Sequence, residues 1–272
     1  MKNGGCGETG QFDPSVPSEA RIIDYLRGGK DNFATDREVG DALLAVAPEL
    51  QSITRDGRRF LGRAVRYMAA QGVRQFIDLG CGLPTGGSVH QILEEAAPGS
   101  KVLYVDNDPV VVRHGQAILE KGEGAGVLLA DVRNPDALLD RPEVAELIDL
   151  DRPTGVIMQG LLAVILDDEA ATGIVERVAG RIAPGSHLLL SHPIGDLCRE
   201  KAERLGDVYR DTRLVTGERE RARERVDVAR FLDGLEIVPP GLVPLPAWRP
   251  DPGEPLVNLD GYWAVGAVAR KA

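Results

Sequence analysis

Phe76-Ile77-Asp78-Leu79-Gly80-Cys81-Gly82-Leu83-Pro84 is the stretch whose reading decides the fold. A short apolar run ends in an acidic residue and passes into a Gly-x-Gly turn. Glycines at such a turn let backbone approach a ligand closely, and open amides at the next helix start favour anionic groups. A dinucleotide-binding loop would carry a third glycine where Thr85 stands. Asp78, two residues before the first glycine, would repel a pyrophosphate and suits a ligand with an ammonium group and no phosphate. Taken alone, the turn also fits a chain that simply reverses sharply.

Outward from this stretch, apolar runs at 73–79, 101–106, 126–130, 154–158 and 187–191 alternate with helical patterns at 88–97, 109–121 and 168–182, plus a short one opened by Asn134-Pro135. Continuous apolar runs predict buried parallel strands. The order βαβαβαβαβ, with right-handed crossovers, predicts a doubly wound α/β sheet covered on both faces. Runs at 235–238 and 262–269 flank a proline-rich connection and add an antiparallel C-terminal edge, giving a mainly parallel, seven-stranded sheet. Three helical patterns precede the first strand. One follows an N-cap at Ser18 and stops at Gly28-Gly29; one starts from a Thr35-Asp36-Arg37-Glu38 capping box; one runs from Thr54 to Gln71. Arg219, Arg221, Arg223 and Arg225 interleave with Glu218, Glu220 and Glu224 and read as a solvated helix face.

The chain has 272 residues, 43% hydrophobic and 27% charged, too apolar for wholesale disorder. A tail is expected over 1–13 and one domain over 14–272, divided into an N-terminal helical cap (14–72), a ligand-binding core (73–192) and an acceptor-side segment (193–272). The net charge of −10 argues against nucleic acid as a partner. No run approaches the roughly 18 to 20 apolar residues of a membrane span, and no signal peptide opens the chain. Cys6, Cys81 and Cys198 are too scattered for a disulfide framework or a closed zinc site, so the expected location is cytoplasmic and no metal is expected.

Two further strands end in carboxylates. Tyr104-Val105-Asp106-Asn107-Asp108 places Asp106 where ribose hydroxyls sit in a nucleoside site, while Asp108 before Pro109 serves as the helix cap. Leu129-Ala130-Asp131-Val132-Arg133 gives Asp131, an acceptor for an adenine amino group beside a backbone amide at Val132, or a solvated loop residue. Asp78, Asp106 and Asp131 end successive strands on the edge where open α/β sheets bind ligands.

Through Asp78-Leu79-Gly80-Cys81-Gly82, Asp106 and Asp131 the chain resembles the class I S-adenosylmethionine-dependent methyltransferases. Ala20-Arg21, Asp24-Tyr25, Gly28-Gly29-Lys30-Asp31-Asn32-Phe33, Asp36-Arg37, Arg59-Phe60-Leu61, Gly82-Leu83-Pro84-Thr85, Val89-His90, Tyr104-Val105-Asp106-Asn107-Asp108-Pro109, Pro184-Gly185-Ser186 and Ser191-His192 extend the likeness to the bacterial S-adenosyl methyltransferase family of mostly unassigned substrate. The resemblance implies a Rossmann-like fold and S-adenosyl-L-methionine as cofactor, with S-adenosyl-L-homocysteine as product. It implies a cofactor site of Asp78, Gly80, Cys81, Gly82, Asp106, Asn107, Asp131, Val132, Gln159 and Gly160, covered by a lid that includes Gly29 and Asn32. Arg21 is the candidate partner of the methionine carboxylate, or a surface arginine; Tyr25 is a candidate cofactor contact, or a core residue. His90 and His192 are the candidate bases. Leu162-Ala163-Val164 departs from the family's Leu-His-Phe. The expected acceptor is a small molecule, methylated on O, N or C, held between the N-terminal helices and residues 193–231, with the stretch around Trp248 contributing. The alternatives are a non-catalytic S-adenosylmethionine-binding or regulatory protein and, against Asp78 and the missing glycine, an NAD-dependent oxidoreductase.

Overall fold

The computed structural model describes residues 13–84, 87–119, 124–196, 199–212, 221–254 and 257–272. The tail expected over 1–13 (apart from Asp13), Thr85, Cys6, Cys198, Glu218, Arg219 and Glu220 lie outside the described residues.

The chain opens with helices α1 (Glu19–Leu26), α2 (Ala34–Val46) and α3 (Leu50–Ala70). Strand β1 (Gln75–Leu79) then alternates with α4 (Val89–Ala96), β2 (Lys101–Asp106), α5 (Pro109–Leu119), β3 (Ala125–Leu129), α6 (Pro135–Leu139), α7 (Pro142–Leu147), β4 (Gly155–Gln159), α8 (Asp168–Arg181) and β5 (His187–Pro193). The chain continues through α9 (Arg199–Asp211), α10 (Arg225–Arg230), β6 (Glu236–Ile237), β7 (Val243–Pro244) and β8 (Ala264–Arg270). The sheet order is β3-β2-β1-β4-β5-β8-β6, with β7 paired to β8 beside that path. Strands β1 to β5 run parallel; β8 runs antiparallel to β5, β6 and β7. Strand order reverses between β1 and β4, which opens a crevice at the carboxyl ends of the strands. No helix among the described residues is long and apolar enough to cross a membrane.

Helix α3 forms because its apolar residues recur every three or four positions: Ile53, Phe60, Leu61, Ala64, Val65 and Met68 are all buried. It packs onto the sheet at two places where glycine makes room. A Cβ on Gly155 would lie 3.4 Å from Met68 of α3 and 2.5 Å from Phe76 of β1, and one on Gly266 would lie 2.6 Å from Phe60 of α3 and 2.8 Å from Leu245. A smaller second core, Ile22, Leu26, Leu43 and Tyr209, joins α1 and α2 to α9.

Three expectations are corrected and one is refined. The sheet has eight strands rather than seven, because Val243–Pro244 pairs with β8. Helix α2 begins after Phe33 rather than at Thr35, since the Asp36 carboxylate accepts the Phe33 N–H at 2.8 Å. Ser18 holds the expected N-cap position of α1, but its hydroxyl donates to Asp108 at 2.8 Å and makes no side-chain cap bond. Arg223 is not on a solvated helix face: residue 223 pairs in extended conformation with Ile194. Its buried guanidinium donates to the carbonyls of Leu162 (2.7 Å) and Ile165 (2.6 Å) and to Asp168 (2.7 Å).

Gly266→Ala forces Phe60 and Leu245 apart in a filled core, so it should destabilise the fold by about 1–3 kcal/mol and lower the thermal midpoint by several degrees. A calorimetric scan of the variant checks this; an unchanged midpoint would show that α3 moves away from β8 at little cost.

Candidate functional site

A cavity of about 260 Å³ lies over the carboxyl ends of β1 to β5 at the point of strand reversal, roofed by α1 and α3. Asp78, Gly80, Cys81, Gly82, Asp106, Asn107, Asp131, Val132, Gln159, Gly160 and His192 all line it. Arg21, Tyr25, Gly29, Asn32 and His90 are not among its lining residues.

The turn after β1 is held by β2. Gly80 N–H and Cys81 N–H donate to the Val105 carbonyl at 2.8 and 3.2 Å. Gly82 N–H donates to Asp106 Oδ2 at 2.9 Å, while Asp106 Oδ1 accepts from Asp108 N–H at 2.9 Å. Gly80 and Gly82 both take positive φ, 69° and 63°, which side chains rarely adopt. A Cβ on Gly82 would meet nothing within 4 Å, so the turn leaves open space where a ligand approaches the backbone.

Asp78 is the electrostatic centre of the cavity. Burial is the main cause that lifts its carboxyl to about 7; Arg58 pulls it back down, the neighbouring Asp106 charge adds to the rise, and Arg27 opposes it. Arg27 and Arg58 also line the cavity. Burial, reinforced by Arg58, pushes the Arg27 guanidinium down to about 10, against the pull of Asp24 and Asp78. Arg27 Nε has no hydrogen-bond partner among the described residues. Asp131 sits at the half-exposed rim, where hydrogen bonds from Arg133, at 2.6 Å from Nη2, hold its carboxyl below the usual range.

The residues outside the lining have other work. Arg21 is buried and donates to Asp36 at 2.8 Å and to the Val16 carbonyl at 2.5 Å, so it is neither a surface arginine nor within the cavity. Tyr25 donates to Asp41 at 2.6 Å, and its ring packs against Gly40. Gly29 and Asn32 act on Asp24, a buried carboxylate in the lining. Asn32 Nδ2 and Asp31 N–H donate to its Oδ2 at 2.8 and 2.9 Å, and a Cβ on Gly29 would fall 1.9 Å from its Oδ1.

Neither histidine presents a lone pair to the cavity. His192 is 1% exposed and burial pushes its imidazole down to about 4. Nδ1–H donates to the Pro193 carbonyl at 2.7 Å, which leaves Nε2 to accept from Arg223 at 3.0 Å. His90 lies behind the glycine turn, with Nδ1 2.9 Å from the Tyr104 hydroxyl, in a small side cavity it shares with Arg58 and Asp78. Ala163 is fully buried and is not part of the lining.

Leu50, Ile53, Leu161, Val164, Leu245 and Trp263 give part of the remaining wall an apolar face. Trp248 is not part of it, being buried edge-on to Phe60 at 5.4 Å and Tyr67 at 5.8 Å. Sequence reasoning missed Asp24, Arg27, Arg58 and Trp263. The signal for Arg58 was its position among Thr54, Gly57 and Leu61, a cation on the face of α3 that turns inward.

A model of the S-adenosyl methyltransferase family matches residues 7–272, and the chain belongs to that family. A candidate methyltransferase from Thermobifida fusca is 34% identical, with 94% of this chain and 96% of that chain covered and a TM-score of 0.87. A DUF574-family protein from Streptomyces avermitilis is 34% identical, with 96% and 99% covered and a TM-score of 0.89. The mitomycin 7-O-methyltransferase MmcR shares the fold at 17% identity, covering 93% of this chain and 68% of that chain with a TM-score of 0.50. No curated protein matches. The protein is a methyltransferase with the Rossmann-like fold, and S-adenosylmethionine is its methyl donor. The cavity fits that donor chemically: carboxylates suit its ammonium, hydroxyl and amino groups, guanidiniums suit its carboxylate, and Gly82 leaves backbone approachable.

Below about pH 7 the Asp78 carboxyl of the free enzyme is protonated. An ammonium ligand favours the ionised form, so binding of S-adenosylmethionine should release a proton and weaken by up to about tenfold per pH unit as pH falls below 7. Calorimetry in two buffers of different ionisation enthalpy reads the proton directly. Asp78→Asn should abolish both the release and the pH dependence, and pH-independent binding by the unaltered enzyme would remove Asp78 from the ammonium site.

Proposed function

We propose that this enzyme passes the methyl group of S-adenosylmethionine to an oxygen, nitrogen or carbon nucleophile of a small molecule. The observation that carries the proposal is the two-sided chemistry of one cavity: strand-end carboxylates along the sheet edge facing two guanidiniums from the roof, Arg27 after α1 and Arg58 on α3, beside an apolar wall from α3, Leu245 and Trp263. In this arrangement Asp78 takes the donor's ammonium, Arg27 and Arg58 take its carboxylate, Asp106 accepts the ribose hydroxyls, and Asp131 with the Val132 backbone meets the adenine. Gly80, Cys81, Asn107, Gln159 and Gly160 shape the floor around it.

The bound donor supplies a methyl group on a positively charged sulfur, which transfer neutralises. What the chain supplies is position: residues 14–72 cover the cavity, 73–192 hold the donor, and 193–272 add the acceptor side through Pro193, Tyr209, Leu245 and Trp263. Holding two reactants in line replaces a bimolecular encounter and is worth several kcal/mol of barrier. Asp24, fixed by Asn32 and backed by Gly29, steadies Arg27 electrostatically. The net charge of −10 favours a metabolite over nucleic acid, and three scattered cysteines favour the cytoplasm.

Purified enzyme incubated with S-adenosylmethionine and a panel of small phenols, amines and carbon acids, with tRNA as comparison, should form S-adenosylhomocysteine with small acceptors and not with tRNA. Turnover confined to tRNA would overturn the small-molecule assignment. Arg58→Gln should weaken S-adenosylhomocysteine binding by about 1.5–3 kcal/mol, the worth of hydrogen bonds to a charged group, while adenosine, which lacks the carboxylate, binds as before. Equal losses for both ligands would show that Arg58 shapes the pocket instead of pairing with the carboxylate.

A further inference from the structure

We infer that the methyl acceptor is a small amine carried on an apolar or aromatic body, an inference that rests on the placement of donor and acceptor proposed above. Charge on the wall is the first ground. Glu19, Asp24, Asp78, Asp106 and Asp108 line the cavity against Arg27 and Arg58, while Asp131 at the rim is already paired with Arg133. The donor brings an ammonium, a sulfonium and one carboxylate, so the occupied cavity keeps an excess of negative charge. Such a field draws in a cationic acceptor and repels a carboxylate or phosphate.

The second ground is the aromatic pair on the acceptor side. Tyr209 and Trp263 are both under one-tenth exposed, and each is oriented by a carboxylate. The Tyr209 hydroxyl donates to Glu19 Oε1 at 3.1 Å, and Trp263 Nε1 donates to Glu49 Oε1 at 3.0 Å, where Lys201 also closes. An aromatic face beside a carboxylate favours an ammonium group, and Tyr209 with Glu19 is that pair, since Lys201 already occupies Glu49. Leu50, Ile53, Leu245 and Trp263 give the same cavity an apolar wall against which the acceptor's body packs.

The third ground is the engaged imidazole. A hydroxyl acceptor must lose its proton as the new bond forms, which calls for a base. His192, the histidine on this wall, has Nδ1 committed to Pro193 and Nε2 to Arg223. An amine drawn in as its ammonium first loses a proton to solvent, at far lower cost than deprotonating a hydroxyl, and the lone pair so freed then attacks. As its nitrogen bonds to the methyl carbon, the carbon–sulfur bond breaks and sulfur keeps the electron pair. The positive charge passes to nitrogen, and the methylated ammonium then releases a proton to solvent.

The test uses two probes of one skeleton, benzylamine and benzyl alcohol, titrated at neutral pH into enzyme saturated with S-adenosylhomocysteine. Benzylamine should bind at least about tenfold more tightly, and with S-adenosylmethionine it should give N-methylbenzylamine in excess of any ether from the alcohol. Glu19→Gln should bring the two affinities together while S-adenosylhomocysteine still binds. Equal affinities for the unaltered enzyme, preference for the alcohol, or binding of neither probe overturns the amine assignment. Failure of the enzyme to bind S-adenosylhomocysteine overturns the donor site on which the inference rests.

Discussion

The Asp106 carboxylate is the joint on which the donor end of the cavity depends. One oxygen accepts Gly82 N–H from the turn after β1, and the other accepts Asp108 N–H at the entry to α5. Asp108 continues the connection, accepting the Ser18 hydroxyl at 2.8 Å and the Val110 N–H at 2.8 Å. Ser18 N–H in turn donates to Asp36, which also takes Arg21 Nε and Phe33 N–H. A relay of carboxylates therefore ties the sheet edge to the N-terminal helices through buried hydrogen bonds to backbone and side-chain donors. Buried polar groups satisfied in this way rigidify a site, and the same relay fixes α1 above the strand ends. Arg21 and Asp36 belong to the architecture that places the cavity roof, a role for which burial beyond the reach of ligand is a requirement.

Much of this was legible from the chain because strands of a parallel sheet are buried on both faces and read as unbroken apolar runs. The acids that end β1 and β2 and the one just past β3 were found by their position in that pattern, and all three line the cavity. What pattern does not show is pairing between residues distant in sequence. Arg21 reads as a ligand contact or a surface arginine because nothing local reveals Asp36, fifteen residues on, as its partner. Arg223 looked solvated amid alternating charge, yet the carbonyls of Leu162 and Ile165 draw it inward. Strand β7, two residues long, is too short to leave a period of any kind. Helix α9 hides for a different cause: its sequence is dominated by charge, and its packing rests on a few residues such as Tyr209.

The two tryptophans show the same limit at the acceptor side. Both lie in proline-rich or irregular chain near the C-terminus, and composition does not separate them. Helix α3 does. Trp248 meets Phe60 and Tyr67 on the face that packs into the core, and Arg63 donates to its carbonyl at 2.8 Å. Trp263 leads into β8, whose antiparallel pairing with β5 brings it beside Pro193 and His192 at the cavity edge. Sheet topology, rather than residue type, assigns one ring to the core and the other to the ligand wall.

Without ligand the donor end is electrostatically unfinished. Asp78 is buried deeply enough to resist ionising near neutrality, while Arg27 and Arg58 face one another's repulsion with their hydration largely removed. Nothing in the fold alone requires this arrangement, since apolar side chains of similar size would pack there at lower cost. A zwitterion with its ammonium toward Asp78 and its carboxylate toward the guanidiniums relieves both strains at once. On the donor placement proposed above, the site gives up stability in the free protein and recovers it as affinity for an amino-acid end group. A neutral nucleoside supplies neither charge, so the same burial that weakens the empty fold also makes the enzyme discriminate between its donor and the nucleoside part of that donor.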